Sequence, residues 1–366
     1  MWRAGESGVV AGNILIAPNI STTTETNPLL ALASGRLDAT EMLEALVPPK
    51  HFTNAEFSNY IPEPHHPSQA AALKAVSKFI FDLQKKHSAQ SFFQKIFGSD
   101  EHGHGIYLDG GFGVGKTHLL ASAYHSFGGA KAYLSFQELM FLVGLIKLSG
   151  VVESFRNYKL LIIDEFELDD PANTRISTNL LGQLFDAGVS ILTSSNTPPG
   201  ALGEGKFSVE DFRRELGSLT KRFKTVPIDG EDYRTIHHLD EGAASTWVAT
   251  DEELDLVIAE KITSSMNVVD MTFAEFLDAL SKVHPMRIRN ALGNIDALVL
   301  RGVESISHPH EALRFVYAVD KAYDNNILFL ASSSVSQDEL FQKSYFTGGD
   351  TKKFLRTKSR LREMTR

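Results

Sequence analysis

The stretch GGFGVGKT, Gly110 to Thr117, constrains this chain more than any other. It satisfies the pattern G-x-x-x-x-G-K-[ST] with no position forced. Glycines at Gly110, Gly113 and Gly115 let successive backbone N–H groups converge on one concave point, where an anion can sit without meeting a Cβ. Lys116 would then reach the β and γ phosphates of a nucleotide and the Thr117 hydroxyl would ligate Mg²⁺, while the helix opening there aims its positive end at the same anion. Read alone, the same letters describe a tight turn between a strand and a helix. Context separates the two. GIYLDG before the loop has strand composition, and THLLASAYHSF after it sets Leu119, Leu120, Ala123, Tyr124 and Phe127 at helical spacing. The full cradle is Gly110, Gly111, Phe112, Gly113, Val114, Gly115, Lys116, Thr117 and His118.

A phosphate loop needs an acidic partner, and YKLLIIDEFELDD supplies one. Four apolar residues, Leu160 to Ile163, read as a buried strand that delivers Asp164 and Glu165 to one edge. Asp164 is the expected Mg²⁺ holder, and Glu165 the group that orients and polarises the water attacking the γ-phosphate. One strand further, GVSILTSSNTPPG ends in Asn196, the expected sensor of the terminal phosphate or the attacking water. An Asn before a Pro-Pro turn is the plainer reading of that position.

Between Ile106 and Pro227 strand and helix patterns alternate: strands at 106–109, 131–135, 159–164, 189–194 and 223–228, helices at 117–127, 136–149 and about 174–187. Alternation of this kind predicts an α/β fold, a parallel sheet covered by helices on both faces, with the nucleotide at the carboxyl ends of the strands. The expected organisation is an N-terminal extension and leading helix over 1–105, a P-loop ATPase core over 106–235 and a C-terminal α/β subdomain over 236–366. The segment from Asp240 reads as a linker or surface helix. Helices are expected near 272–283 and 310–323, strands near 297–303 and 327–332. Ser68 is a plausible N-cap for a helix that carries Ala72, Val76, Phe79, Ile80 and Leu83.

Composition narrows the chemistry. With no cysteine, disulfides, thiolate metal sites and Cys nucleophiles are excluded. A balance of 36 Lys+Arg against 45 Asp+Glu, net −9, argues against broad attraction to nucleic acid phosphates. No segment has the length of a membrane span and the first residues lack an apolar secretory core, so the chain reads as cytoplasmic. The basic tail TKKFLRTKSRLREMTR reads as a docked terminal helix with a solvated face.

Three aligned pieces on consecutive strands, followed by SVEDFRRELGSLTKRF, resemble the ring-forming AAA+ branch of P-loop NTPases. That resemblance implies a homo-oligomer in which a neighbour's arginine completes the site, with Arg213, Arg214 and Arg222 as candidates and Arg287 as a second sensor. More specifically, HPSQAAAL, GGFGVGKTHLL, LLIIDEFELDD, LTSSNTPPGALGEGKF, VPIDGEDYR, ALRFVYAVDKAYDNNILFLAS and FLRTKSRLREM resemble the ZapE family of cell-division ATPases. The resemblance implies a Mg²⁺-dependent ATPase at the division site, associated with the FtsZ polymer and with the inner membrane surface. Where that family has a Gly-Leu-Gln-Arg run this chain has KFSVEDF, which leaves the arginine finger unassigned. A helicase loader or initiator, and a chaperone-like ATPase, share the core layout and stay open as alternatives.

Overall fold

The computed structural model describes residues 28–33, 43, 46–93, 102–168, 171–198, 217, 221–231, 246–347 and 350–365. The chain forms two compact units, Leu37–Glu241 in one and Met1–Arg36 with Gly242–Arg366 in the other.

The first unit is built on a parallel sheet of β1 (Gly105–Asp109), β2 (Lys131–Ser135), β3 (Leu160–Asp164), β4 (Ser190–Ser195) and β5 (Phe223–Pro227). Their order across the sheet is β2-β3-β4-β1-β5. Strands β3 and β4 are buried along their whole length, and β3 accordingly runs apolar from Leu160 to Ile163 instead of alternating. The register aligns their carboxyl ends: Asp109 lies opposite Ser195, and Ile163 opposite Thr193. The loop after β1 and the acidic end of β3 therefore flank the end of β4 on the same edge.

Helices Lys116–Ser126, Phe136–Phe155 and Pro171–Asp186 connect these strands. Ser135 starts the second with a capping box: its hydroxyl accepts from Glu138 N at 3.3 Å, and the Glu138 carboxylate accepts from Ser135 N at 2.8 Å. Helical turns continue beyond the expected end at 149, past a break at Lys147 where φ is 63°. The leading helix spans Pro67–Phe93 and buries Ala72, Val76, Phe79 and Ile80 against β1 and the Lys116–Ser126 helix. Ser68 is not its cap, since that hydroxyl instead accepts from Asp229 N at 2.9 Å.

The second unit has its own parallel sheet, order β6-β9-β8-β7, from β6 (Trp247–Val248), β7 (Val268–Thr272), β8 (Ala297–Val303) and β9 (Leu328–Ser333). The acidic segment after Asp240 leads into a helix, Asp251–Lys261, capped by Thr250. The basic tail is a helix, Thr351–Met364, docked through charge as well as apolar contact. Buried Asp320 meets Arg356 at 2.5 Å and Arg360 at 2.6 Å. Burial alone would raise that carboxyl, but the two guanidiniums outweigh it and hold it below the ordinary carboxylate range.

Candidate active site

The phosphate loop leaves β1 with Gly110 N donating to Ser195 O at 3.2 Å. A Cβ on Gly110 would lie 2.0 Å from Ile228 O, so only glycine lets the loop start this close to the end of β5. Gly113 and Gly115 take positive φ, 68° and 85°, which turns their N–H groups as a concave loop requires. The helix Lys116–Ser126 begins directly after Gly115. Lys116 is 9 % exposed and its ammonium donates to Gly110 O at 2.8 Å, to Gly111 O and to Asn196 Oδ1 at 2.9 Å.

Asp164 ends β3 in a buried position, and its carboxylate is surrounded by donors. Tyr133 Oη donates to Oδ2 at 2.7 Å; the Ser194 hydroxyl donates to Oδ1, which also accepts from Glu165 N at 3.0 Å. Thr117, the first polar side chain of the loop helix after Lys116, stands close enough to this carboxylate to lower its pKa. Burial, reinforced by the Glu165 charge, pushes the Asp164 carboxyl above its ordinary value, and the hydrogen bonds from Ser194 and Tyr133, with the nearby Thr117, offset part of that rise. A hydroxyl and a buried carboxylate meeting at a helix N-terminus are hard oxygen donors of the kind that suit Mg²⁺ shared with phosphates. Glu165 follows with φ 55°, a left-handed conformation rare outside glycine and concentrated at functional sites. Its N–H is held by Ser194 Oγ at 3.1 Å as well as by Asp164.

A segment ahead of the leading helix braces the loop from outside. Tyr60 Oη donates to Val114 O at 3.1 Å, and its ring stands where a Cβ on Gly115 would come within 2.5 Å. Burial first, then Glu63, pushes this phenol up to about 12, so it remains a donor at neutral pH. His118 turns toward the same segment: its Nε2 lies 2.8 Å from Asn59 Oδ1 and 3.1 Å from Glu56 O. Gly111 and Phe112 lie between Gly110 and the Gly113 turn, exposed and half-buried respectively.

The structure thus gathers the loop, Asp164, Glu165 and Asn196 at one edge of one sheet. Of the candidate arginines, Arg222 and Arg287 have partners of their own. Arg213 and Arg214 lie outside the described residues. Arg222 is held by Asp186 at 2.6 Å, with its guanidinium over the Phe185 ring. Arg287 belongs to the other unit, where it donates to Ala33 O at 3.3 Å.

Sequence reasoning overlooked Tyr133 and Tyr60 and passed over Ser194 in favour of Asn196. Tyr133 pairs with Ile162 across β2 and β3, so its long side chain reaches diagonally to Asp164, two positions along the same face. That relation needs the register, which no spacing in one strand contains. Ser194 carried a weak signal, two positions before the chosen sensor in TSSN.

The family described as AFG1-like ATPase matches residues 38–366. The chain is 28 % identical over 301 residues to cell division protein ZapE of Escherichia coli (strain K12), covering 71 % of this chain and 77 % of that protein. Among solved structures, DnaI matches with a TM-score of 0.39 at 17 % identity, covering 52 % of this chain and 98 % of that one. The DnaC helicase loader matches with a TM-score of 0.35 at 18 % identity, covering 49 % and 99 %. With a phosphate loop, a buried acidic strand end and a family match that spans most of its length, this chain belongs to the AFG1-like ATPase family.

Proposed function

We propose that this ATPase hydrolyses ATP with Mg²⁺ at the Gly110–Thr117 loop and works at the division site on an FtsZ-type polymer. The observation that carries the catalytic part is the convergence of Lys116, Asn196, Asp164 and Glu165 on adjacent strand ends, with Lys116 bonded directly to Asn196. The division role is supported by the motifs shared with the ZapE family and by the E. coli relative's name.

In this reading the Gly110–Gly115 amides and Lys116 bind the phosphates, and the helix N-terminus adds its positive end. Mg²⁺ bound at Thr117 and Asp164 would neutralise charge between the β and γ phosphates. Glu165 accepts a proton from, or orients, the attacking water, and its twisted backbone, pinned by Ser194, fixes where its side chain leaves the strand. Asn196 reports on the γ-phosphate.

The site would be completed in a homo-oligomer by an arginine from the neighbouring subunit. Arg213 and Arg214 are better candidates than Arg222, because the Arg222 guanidinium is already paired with Asp186. Net charge −9 argues against a nucleic-acid role. Among the described residues no helix is long and apolar enough to cross a membrane.

The test is ATP turnover per chain as a function of protein concentration, with Glu165→Gln as the blank, followed by co-sedimentation with polymerised FtsZ in ATP and in ADP. A per-chain rate that climbs with concentration supports completion in trans. Turnover that stays at the blank level with and without FtsZ, or sedimentation indifferent to the nucleotide, would reject the proposal.

A further inference from the structure

A trans peptide unit is planar, so its C=O and N–H point to opposite sides of the chain. Among the described residues no peptide bond is cis. In the phosphate loop the Val114 carbonyl accepts from Tyr60 Oη at 3.1 Å, and the Gly115 N–H, which shares that plane, therefore faces away from Tyr60. The loop's own chain holds this plane weakly. The Val114 side chain is anchored in the core, but Gly115 stands at φ 85°, and a glycine takes either sign of φ at little cost. No Cβ at Gly115 opposes a flip of the plane between them, which would put a carbonyl oxygen where the N–H now stands.

Tyr60 is itself held in place. It is 9 % exposed, its ring lies edge-on to His118 with centroids 5.5 Å apart, and the same ring covers Gly115 so closely that a Cβ there would meet it. The residue before it fastens the segment to the helix after the loop. His118 Nε2 faces Asn59 Oδ1 at 2.8 Å and Glu56 O at 3.1 Å. Both are acceptors, because the Asn59 NH₂ donates to Asn54 O at 2.7 Å and its Oδ1 accepts from Glu56 N at 2.9 Å. His118 therefore carries a hydrogen on Nε2 and donates to the segment.

We propose that Tyr60 is a positioning residue whose hydroxyl locks the Val114–Gly115 peptide with the Gly115 N–H turned toward the bound phosphates, so that this donor is set before the nucleotide arrives. The inference rests on the phosphate-site reading given above. A phosphate oxygen accepts and does not donate, so a flipped plane meets it with a like partial charge and must turn back before binding. The Gly115 donor serves the phosphates that ADP and ATP share. Loss of the lock therefore weakens both nucleotides alike and leaves the chemical step alone, the signature of uniform binding.

The test is calorimetric titration of the full chain with Mg²⁺ plus ADP and with Mg²⁺ plus AMPPNP, in wild type and in Tyr60→Phe, which keeps the ring and removes only the hydroxyl. Both dissociation constants are expected to rise about fivefold, the net worth of one hydrogen bond. In turnover KM should rise with them while kcat stays within about twofold. If the phenylalanine variant does not fold, Asn59→Ala takes its place: it loosens the segment at His118 with Tyr60 intact, and both constants should rise about threefold, the worth of a weaker, exposed bond. Constants equal to wild type in the folded variant overturn the proposal. A rise confined to AMPPNP, or a fall in kcat at unchanged KM, overturns it too, because the hydroxyl would then act on the terminal phosphate or the transition state. Wild-type protein that binds neither nucleotide, or binding that survives Lys116→Ala, overturns the phosphate-site reading and the lock with it. Binding that requires Lys116 while Tyr60→Phe matches wild type overturns the lock only.

Discussion

Replacing Tyr133 with Phe keeps the ring, packed edge-on to Tyr124 with centroids 6.4 Å apart, and removes only the hydroxyl that donates to Asp164 at 2.7 Å. Because Asp164 is buried, a hydrogen bond to its charged form is worth about 2 kcal/mol, about twice a bond to the neutral one. The pH dependence follows from the direction of the Asp164 shift. Its folded-state carboxyl titrates above the unfolded value, mainly through burial, so the folded protein holds this proton more tightly and the associated stability is present at low pH and lost as pH rises through the folded value. The Tyr133 bond favours the charged form and opposes that loss. Its removal should therefore destabilise β3 by about 2 kcal/mol well above the folded-state value and by about 1 kcal/mol below it, where the acid is neutral. Hydrogen exchange of β3 amides reads this locally, without assuming that the two units unfold together. Exchange in Tyr133→Phe, corrected for intrinsic rates, should be about 30-fold faster than wild type on the high-pH side of the Asp164 titration and about fivefold faster on its low-pH side. Equal acceleration at both pH values would refute the reasoning, because the hydroxyl would then be acting through packing and not through the Asp164 charge.

Other consequences are as direct. Gly115→Ala places a β-carbon on a residue at φ 85° and against the Tyr60 ring, so it should cost about 1–2 kcal/mol in backbone strain alone and lower the thermal midpoint; pairing it with Tyr60→Ala should recover the clash but not the strain. Asp320→Ala leaves two buried guanidiniums without their shared carboxylate and should cost about 3–5 kcal/mol, seen as earlier unfolding of the second unit by Trp247 fluorescence. Since the Asp320 carboxyl is held below the ordinary range, the wild-type unit should lose that stability only as pH falls beneath ordinary carboxylate values toward the lowered one; an acid midpoint unchanged by Asp320→Asn would contradict it.

The phosphate loop and the acidic strand end were readable from the chain because each is a contiguous run whose conformation its own residues dictate: glycines where φ is positive, an apolar strand ending in two acids. The same holds for alternation, since a residue period is a property of one segment, and the strands at 131–135 and 297–303 stand where periodicity placed them. Strand β7 and the helix Pro285–Gly293 escaped: β7 runs straight into the helix Phe273–Lys282 through its Thr272 cap, with no turn residue to mark its end. What tertiary structure alone decided is who meets whom. Placing β4 between β1 and β3 brings Asn196 to Lys116 and Ser194 to Asp164, and the parallel register brings Tyr133 diagonally onto the same carboxylate. Arg222 goes to Asp186, and Arg356 and Arg360 to Asp320, by the same rule. Local sequence chooses a backbone conformation within a few residues, whereas the partner of a polar side chain depends on strand order and register, which are set only when the whole core closes.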